Sequence, residues 1–327
     1  MRRREFILAL GGAAAWPLTA RAQQATMPVI GVLSAEWPDL FADRLRAFRQ
    51  GLSETGYIEG QNVAVEYHWA EGRNDRLPTL AAELVRRQVT VIVTPGSAPA
   101  ALAAKAATIT IPIVFYVGAD PVDAGLVASL SRPGGNLTGV VSLNVEVGPK
   151  RLELLHEMVP AATVIALLVN PTNPTLAEPL TRDLQAAART LGLQLHILHA
   201  GSEREFETAF ATLVQLRANA LVIGADALFN SRSEQLAALS VRHAVPAIYQ
   251  FREFAAAGGL MSYGSTVVGA YRPLGIYTGR ILKGDKPTDL PVQQAVKVEL
   301  IINLKTAKAL GLSVPLPLLG RADEVVE

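Results

Sequence analysis

The sequence predicts an α/β fold of two similar lobes, each built on a mainly parallel sheet, and three observations carry that prediction. After Pro28, short β-branched runs alternate with amphipathic stretches of about ten to eighteen residues, the pattern of β-α units. The second four strands repeat the first four at an offset of about 129 to 136 residues, far beyond the roughly 20 to 50 of a solenoid. The chain then runs on past the repeat for long enough to return to the first lobe and cross again. A length of 327 residues allows two domains with cores of their own, at about 100 to 200 residues each.

The first residues stand apart from the fold. Met1-Arg2-Arg3-Arg4 is a basic start, 6–16 is a short apolar run, and Ala20-Arg21-Ala22 offers an A-x-A cleavage site, so residues 1–22 are expected to form an export signal. Arg3-Arg4-Glu5-Phe6-Ile7 fits the twin-arginine pattern, with Arg2 where Ser or Thr is usual, and an ordinary basic start for the general route fits as well. The apolar run is shorter than the roughly 20 residues of a membrane-spanning helix. There is no cysteine, which rules out disulfides, zinc thiolates, a thiol nucleophile and a cysteine-linked lipid anchor. Removing residues 1–22 takes away four Arg and one Glu and turns the formal charge from +1 to −2. A near-neutral balance with 6% aromatic residues argues against nucleic-acid binding. The expected product is a monomer in the periplasm, without a cofactor and without direct membrane insertion after processing.

Strands are expected over 29–33, 63–67, 89–93 and 113–116, then over 164–169, 194–198, 220–223 and 247–249. Helices are expected to begin near Leu40, Leu77, Ala98, Val147, Leu176, Glu203, Phe229 and Glu253, several of them stopping at a glycine such as Gly56 or Gly192. The repeat is visible residue by residue. Ile30-Gly31-Val32-Leu33 lines up with Ile165-Ala166-Leu167-Leu168, Gly56 with Gly192, and Ile111-Pro112-Ile113-Val114 with Val245-Pro246-Ala247-Ile248. Turn-rich 132–139, followed by the run 140–143, marks the passage between lobes. Beyond the repeat, strands at 259–263 and 295–299 and helices at 267–282 and 303–310 complete the return. The expected lobes are therefore 28–142 with 262–292 and 143–261 with 293–327. Repeated crossings make a hinge, and the cleft beside it is the expected ligand site.

Ligands of open parallel sheets bind beyond the carboxyl ends of the strands. Those ends hold Ser34 to Trp37, Pro95-Gly96-Ser97 and Tyr116 to Asp120 in the first lobe, and Asn170 to Asn173, Asp226 and Tyr249 to Arg252 in the second, with Tyr263 on the returning strand. Gly96-Ser97 opens an Ala-rich helix, so its N–H groups and the Ser97 hydroxyl suit a carboxylate, or Ser97 is an ordinary helix cap. Asp226 can pair with a ligand ammonium or cap the helix that follows it. Asp120, before Pro121, can reach a ligand or stabilise its turn. The aromatic rings of Trp37, Tyr116, Phe229, Tyr249 and Tyr263 can stack on an apolar ligand part or fill the core.

Enzyme signatures are sparse. G-x-S-x-G, H-E-x-x-H, the EF-hand loop and the Rossmann G-x-G-x-x-G are all missing. Gly279 to Gly284 begins like a P-loop, but Asp285 stands where lysine is required. His196 and His199 lie three apart on an expected strand and face opposite ways.

Several segments together resemble a known family. They are Gly51-Leu-Ser-Glu-Thr-Gly-Tyr-Ile-Glu-Gly-Gln-Asn-Val63, Leu77-Pro-Thr-Leu-Ala-Ala-Glu-Leu84, Asp120-Pro-Val122, Ser131-Arg-Pro-Gly-Gly-Asn-Leu-Thr-Gly139, Ala257-Gly-Gly-Leu-Met-Ser-Tyr-Gly264 and Ile302-Asn-Leu-Lys-Thr-Ala-Lys-Ala-Leu-Gly311. In order and spacing they are similar to the exported substrate-binding proteins of ABC transporters, in the group with tryptophan- and tyrosine-binding members. The resemblance implies two Rossmann-like lobes with parallel sheets joined by a three-stranded hinge, the type I periplasmic binding protein fold. It implies a small solute, best read as an amino acid, aromatic or branched, delivered to an inner-membrane permease with its ATPase. It also implies that Ser97 and its helix N-terminus hold the ligand carboxylate, that Asp226 takes the amino group, and that Asn144 reaches the cleft from just past the hinge. An exported ligand-sensing domain, or an exported α/β hydrolase or transferase with Asp120 or Asp226 as base, are the alternatives.

Overall fold

The computed structural model describes residues 27–38, 41–142, 144–295 and 297–327, so the expected export signal lies outside the described residues. In chain order the first lobe contributes β1 (Val29–Ser34), α1 (Ala42–Glu54), β2 (Ala64–Trp69), α2 (Leu77–Arg86), β3 (Val91–Pro95), α3 (Ala98–Ala107), β4 (Ile113–Val117) and β5 (Leu137–Ser142). The second lobe follows with α4 (Gly148–Met158), β6 (Val164–Val169), α5 (Pro174–Leu191), β7 (Gln194–His199), α6 (Phe206–Gln215), β8 (Ala220–Ile223), α7 (Ala227–Ser231), α8 (Ser233–Arg242), β9 (Ala247–Tyr249), α9 (Arg252–Ala256) and β10 (Met261–Ser265). The chain returns to the first lobe with α10 (Val267–Leu282) and β11 (Gln293–Ala295). It then crosses back for β12 (Val298–Asn303), α11 (Leu304–Ala309), α12 (Leu316–Leu319) and β13 (Glu324–Val326). Among the described residues no helix is long and apolar enough to cross a membrane.

The first sheet runs β11-β5-β4-β3-β1-β2, with every pairing parallel. The second runs β13-β12-β10-β9-β8-β6-β7 and has one antiparallel pairing, β10 with β12. Shared by both is the winding β2-β1-β3-β4-β5, repeated as β7-β6-β8-β9-β10, so the sequence repeat is a repeat of strand order. The two-lobed α/β fold expected from the sequence is the fold observed. Central strands are buried on both faces, which is why they read as unbroken β-branched runs. In β1, Ile30 and Val32 pack toward α1 and α10. Leu33 packs toward α2 and α3 on the other face.

The chain passes between the sheets at 142–144, 265–267 and 295–298. Two expected boundaries therefore move. Residues 262–265 belong with the second sheet, because β10 pairs with β9 and β12. Residues 293–295 belong with the first, because Gln293–Ala295 pairs with Val140–Ser142. The strand expected over 295–299 is two strands on either side of a crossing. One alternating stretch runs through both lobes, and its pattern carries no sign of the change of partner.

Two contacts hold the return in place. α10 lies against α1 with almost no side chain between them: a Cβ at Gly51 would be driven into the Arg272 carbonyl, and one at Gly275 into the Phe48 carbonyl. At the hinge, Arg151 is fully buried and clasps two backbone carbonyls, those of Asn144 and of Tyr263, the latter at 3.0 Å. Burial draws its pKa down to about 10, still leaving it charged at neutral pH. One guanidinium thus ties the first crossing to the strand that leads into the second.

Gly51→Ala is expected to destabilise the protein by about 2 kcal/mol, because the clash is with backbone that cannot rotate away. Urea unfolding measures it, and an unchanged midpoint would remove the α1–α10 contact from this account.

Candidate functional site

The carboxyl ends of β1, β3 and β4 face those of the second sheet across a cleft, and the lobes are shut on each other. Between them is a tight cavity of about 30 Å³. From the first lobe it is lined by Glu36, Arg44, Gly96, Tyr116, Gly118 and Tyr271. Asn144, Leu176, Asp226, Asn230 and Phe251, with Ala225 and Ala227, line it from the second.

Glu36 follows β1 and is 1% exposed. Its N–H donates to Ser34 Oγ at 3.1 Å, a local bond that turns the strand end inward. Arg44, in the first turn of α1, donates to Glu36 Oε2. The Arg44 guanidinium lies 5.4 Å from the centroid of the Phe41 ring. Gly96 has φ +78°, and a Cβ there would stand 3.2 Å from Glu36 Oε1, so both backbone and space require glycine. Across the cleft, Asp226 is gripped by its own lobe. Its Oδ1 accepts from Asn170 Nδ2 and from Leu228 N–H, both at 2.9 Å, and its Oδ2 accepts from Asn173 Nδ2 at 2.8 Å. Asn144, just past the first crossing, accepts from Ser265 N–H and Oγ at 3.3 Å, next to the second.

The cavity is electrostatically lopsided. Burial pushes the Asp226 carboxyl up, and the amides of Asn170 and Asn173 pull it only part of the way back. Burial also raises Glu36, against the pull of Arg44, and Asp226 across the cleft raises it further. Desolvation works against the charge on Arg44, but Glu36, Tyr271 and Glu253 together more than offset it and the guanidinium stays protonated. Two acids and one base therefore share a site from which water is largely excluded.

Of the twelve residues expected at the site, Gly96, Tyr116, Asn144 and Asp226 line the cavity. Ser34 and Asn170 stand behind it and orient Glu36 and Asp226. Trp37 sits at the rim. Its half-buried ring covers Gly72 and lies 4.7 Å beneath the guanidinium of Arg232 from the other lobe. The remaining five are corrections. Ser97 does not line the cavity, because its hydroxyl accepts from Ala100 N–H at 3.2 Å and caps α3. Asp120 is exposed and accepts from Val122 N–H at 2.7 Å, stabilising its turn in a separate groove. Phe229 packs on Phe206 in the core of the second lobe. Tyr249 stacks on Phe254 and donates to Ser240 Oγ at 2.9 Å. Tyr263 is half-buried against the other core cluster of that lobe.

Sequence reasoning missed Glu36, Arg44, Asn230 and Tyr271. Glu36 was within sight, a lone acid at a strand end. Arg44, Asn230 and Tyr271 come from helices, one of them the returning helix, and the strand-end rule does not reach that far.

Two lobes wound alike, three crossings and a charged cavity between opposed strand ends define a binding protein of the hinged, two-lobed α/β class, the fold also of periplasmic binding and LacI-type proteins. The sequence profile described as ABC transporter substrate binding protein matches residues 36–326, and the chain belongs to that family. A tyrosine-binding protein of Clostridioides difficile (strain R20291) is 28% identical over 272 residues, covering 82% of this chain and 76% of the relative. The crystal structure of a conserved domain protein from Vibrio cholerae superposes with a TM-score of 0.84 at 27% identity, over 91% of this chain and 99% of the other. A Streptococcus pneumoniae ABC domain in complex with L-Trp has a TM-score of 0.82 at 24% identity over the same shares.

Trp37 and Trp69 are the tryptophans outside the expected signal. Because Trp37 touches Arg232 of the other lobe, ligand-driven closure is expected to shift its emission, and Trp37→Phe is expected to abolish the shift. A full response in that variant would displace Trp37 from the rim.

Proposed function

We propose that the protein is the exported solute-binding component of an ABC importer, closing its two lobes on a small solute that carries an ammonium group and delivering it to an inner-membrane permease with its ATPase. The observation that carries this reading is the charge set of the cavity: Glu36 and Asp226 against Arg44 alone, all buried. A ligand ammonium has two carboxylates to meet and a ligand carboxylate has Arg44, whereas an anion without an ammonium only adds to the imbalance. An amino acid is the solute class favoured, since two relatives are described with tyrosine and L-Trp. Tyr116, Tyr271 and Phe251 on the wall suit an aromatic or branched side chain. The work is binding: the ligand selects the shut state by its differential affinity for it. Residues 1–22 are the export signal of this reading, and the periplasm is its compartment.

A thermal-shift screen against amino acids, small acids, sugars and nucleobases tests it. A true ligand at 100 times its Kd is expected to stabilise by about 2.7 kcal/mol. If only sugars or nucleobases score, the ammonium reading fails.

The pH dependence has a definite sign. Asp226 and Glu36 lie above their ordinary values of 3.8 and 4.5 without ligand, and an ammonium favours their ionised forms. Binding then releases protons, and affinity rises as pH climbs through their raised range. The unliganded protein has the opposite slope from these two groups. Folded carboxyls that protonate before those of the unfolded chain add stability as pH falls toward the unfolded values. Asp226→Asn is expected to weaken binding and flatten its pH profile, as calorimetry at several pH values will read. An unchanged profile would sink the role of Asp226.

A further inference from the structure

We propose that the ligand carboxylate is taken by Arg44, with the Tyr116 and Tyr271 hydroxyls beside it, and not by the N-terminus of α3. This rests on the amino-acid reading of the same site and says which group within it meets which end of the solute. Of the segment that opens α3, Gly96 alone lines the cavity. Ser97 does not line the cavity, its Oγ accepts from Ala100 N–H, and Pro99 has no N–H in the first turn. Gly96 N–H is committed to the Tyr116 carbonyl at 2.9 Å.

Arg44 is differently placed. A guanidinium has five N–H donors in a planar fork that matches a carboxylate, and the bond to Glu36 uses one of its two terminal nitrogens. Arg44 lines the cavity, with its guanidinium over the Phe41 ring. Around it, two hydroxyls wait for a partner. Tyr116 and Tyr271 are 3% and 1% exposed, both line the cavity, and neither Oη has a partner in good hydrogen-bond geometry, although Ser142 and Ser265 stand near the first and Arg44 near the second. Their rings meet edge to face at 5.7 Å, so the two hydroxyls belong to one corner of the site, within the field of the Arg44 charge. A buried hydroxyl left without a partner is costly, and a carboxylate oxygen satisfies it by accepting its hydrogen bond. The zwitterion then reads across the cavity in alternating sign. Its carboxylate meets Arg44, and its ammonium meets the second-lobe side, where Asp226 lies and where Asn230 approaches Glu36.

L-Tryptophan and tryptamine, and L-tyrosine and tyramine, differ only by the carboxylate, and calorimetry on the full exported chain with these four probes tests the assignment. The wild type is expected to prefer the acid of at least one pair by roughly 10- to 100-fold, the range of a charge-assisted hydrogen bond. Arg44→Gln is expected to lose that preference; because it also releases Glu36 from its ion pair, the readout is the acid-to-amine ratio within each variant and not the amine affinity itself. Ser97→Ala is expected to keep it. Glu36→Gln/Arg44→Gln replaces the ion pair by two amides, should lose the preference as well, and covers the case in which Arg44→Gln alone does not fold. Preference kept in both Arg44 variants, or lost in Ser97→Ala, overturns the assignment and returns the carboxylate to α3. A wild type that binds none of the four probes overturns the amino-acid reading itself, and this assignment with it.

Discussion

The contact of α10 with α1 is the constraint on which the rest depends. A chain that wound two lobes in succession and stopped would cross between them once, at 142–144, and have a tether there. The return helix adds a second crossing and, through β11, a third. It can do so only because Gly51 and Gly275 let two backbones meet. The same packing decides the site. It brings Tyr271, on the returning helix, to the wall that Arg44 reaches from the first turn of α1, so residues 227 positions apart share one corner. Phe41 lies between them, edge-on to Tyr271 at 6.0 Å and beneath Arg44. Hinge and binding wall are thus two results of one helix pairing.

The fold was largely legible because its strands are buried on both faces and leave continuous β-branched runs, and because the repeat carries the winding with it. What was not legible follows from what local pattern encodes. The stretch 293–303 alternates like one strand yet pairs first with β5 and then with β10, since a strand's pattern records burial and not its neighbour. At the site, the strand-end rule reached Gly96, Tyr116 and Asp226 because backbone position alone puts them there. It also took in Tyr249, Phe229 and Tyr263. A side chain at a strand end can turn into its own lobe as easily as into the cleft, and an aromatic ring gains more buried area in the core. Ser97 and Asp120 were each drawn toward their local backbone, as short polar side chains near helix and turn starts commonly are. Arg44 looked like one of many charges on an amphipathic helix, and only its tertiary partner Glu36 distinguishes it.

The buried charges give the hinge its character. Taking an ion out of water costs several kcal/mol even after the protein relaxes, and an ion pair recovers that only in good geometry. Within the first lobe Arg44 offsets part of that cost for Glu36, whose carboxyl stays raised all the same. Asp226 is compensated by amide and backbone donors, which lower its cost without cancelling its charge. Shutting the cleft brings these two acids toward each other, as the upward push of Asp226 on Glu36 records. On the proposed reading, the empty shut state carries an electrostatic penalty at this pair of acids.

Against that penalty the cross-cleft contacts at the rim are small. Arg232 over Trp37 is a half-exposed cation–π contact, worth about 0.5–1 kcal/mol. The bond from Asn74 Nδ2 to the Thr172 carbonyl is long, at 3.4 Å, and exposed. Neither can hold the lobes together against buried like charge, so on the proposed reading closure draws its stability from whatever fills the cavity. A ligand bearing an ammonium removes the repulsion between Glu36 and Asp226, and by doing so it favours the shut form over the open one. Affinity and closure then come from the same interaction. The rim contacts have a narrower part, fixing the angle at which the two lobes meet once the charges have been balanced.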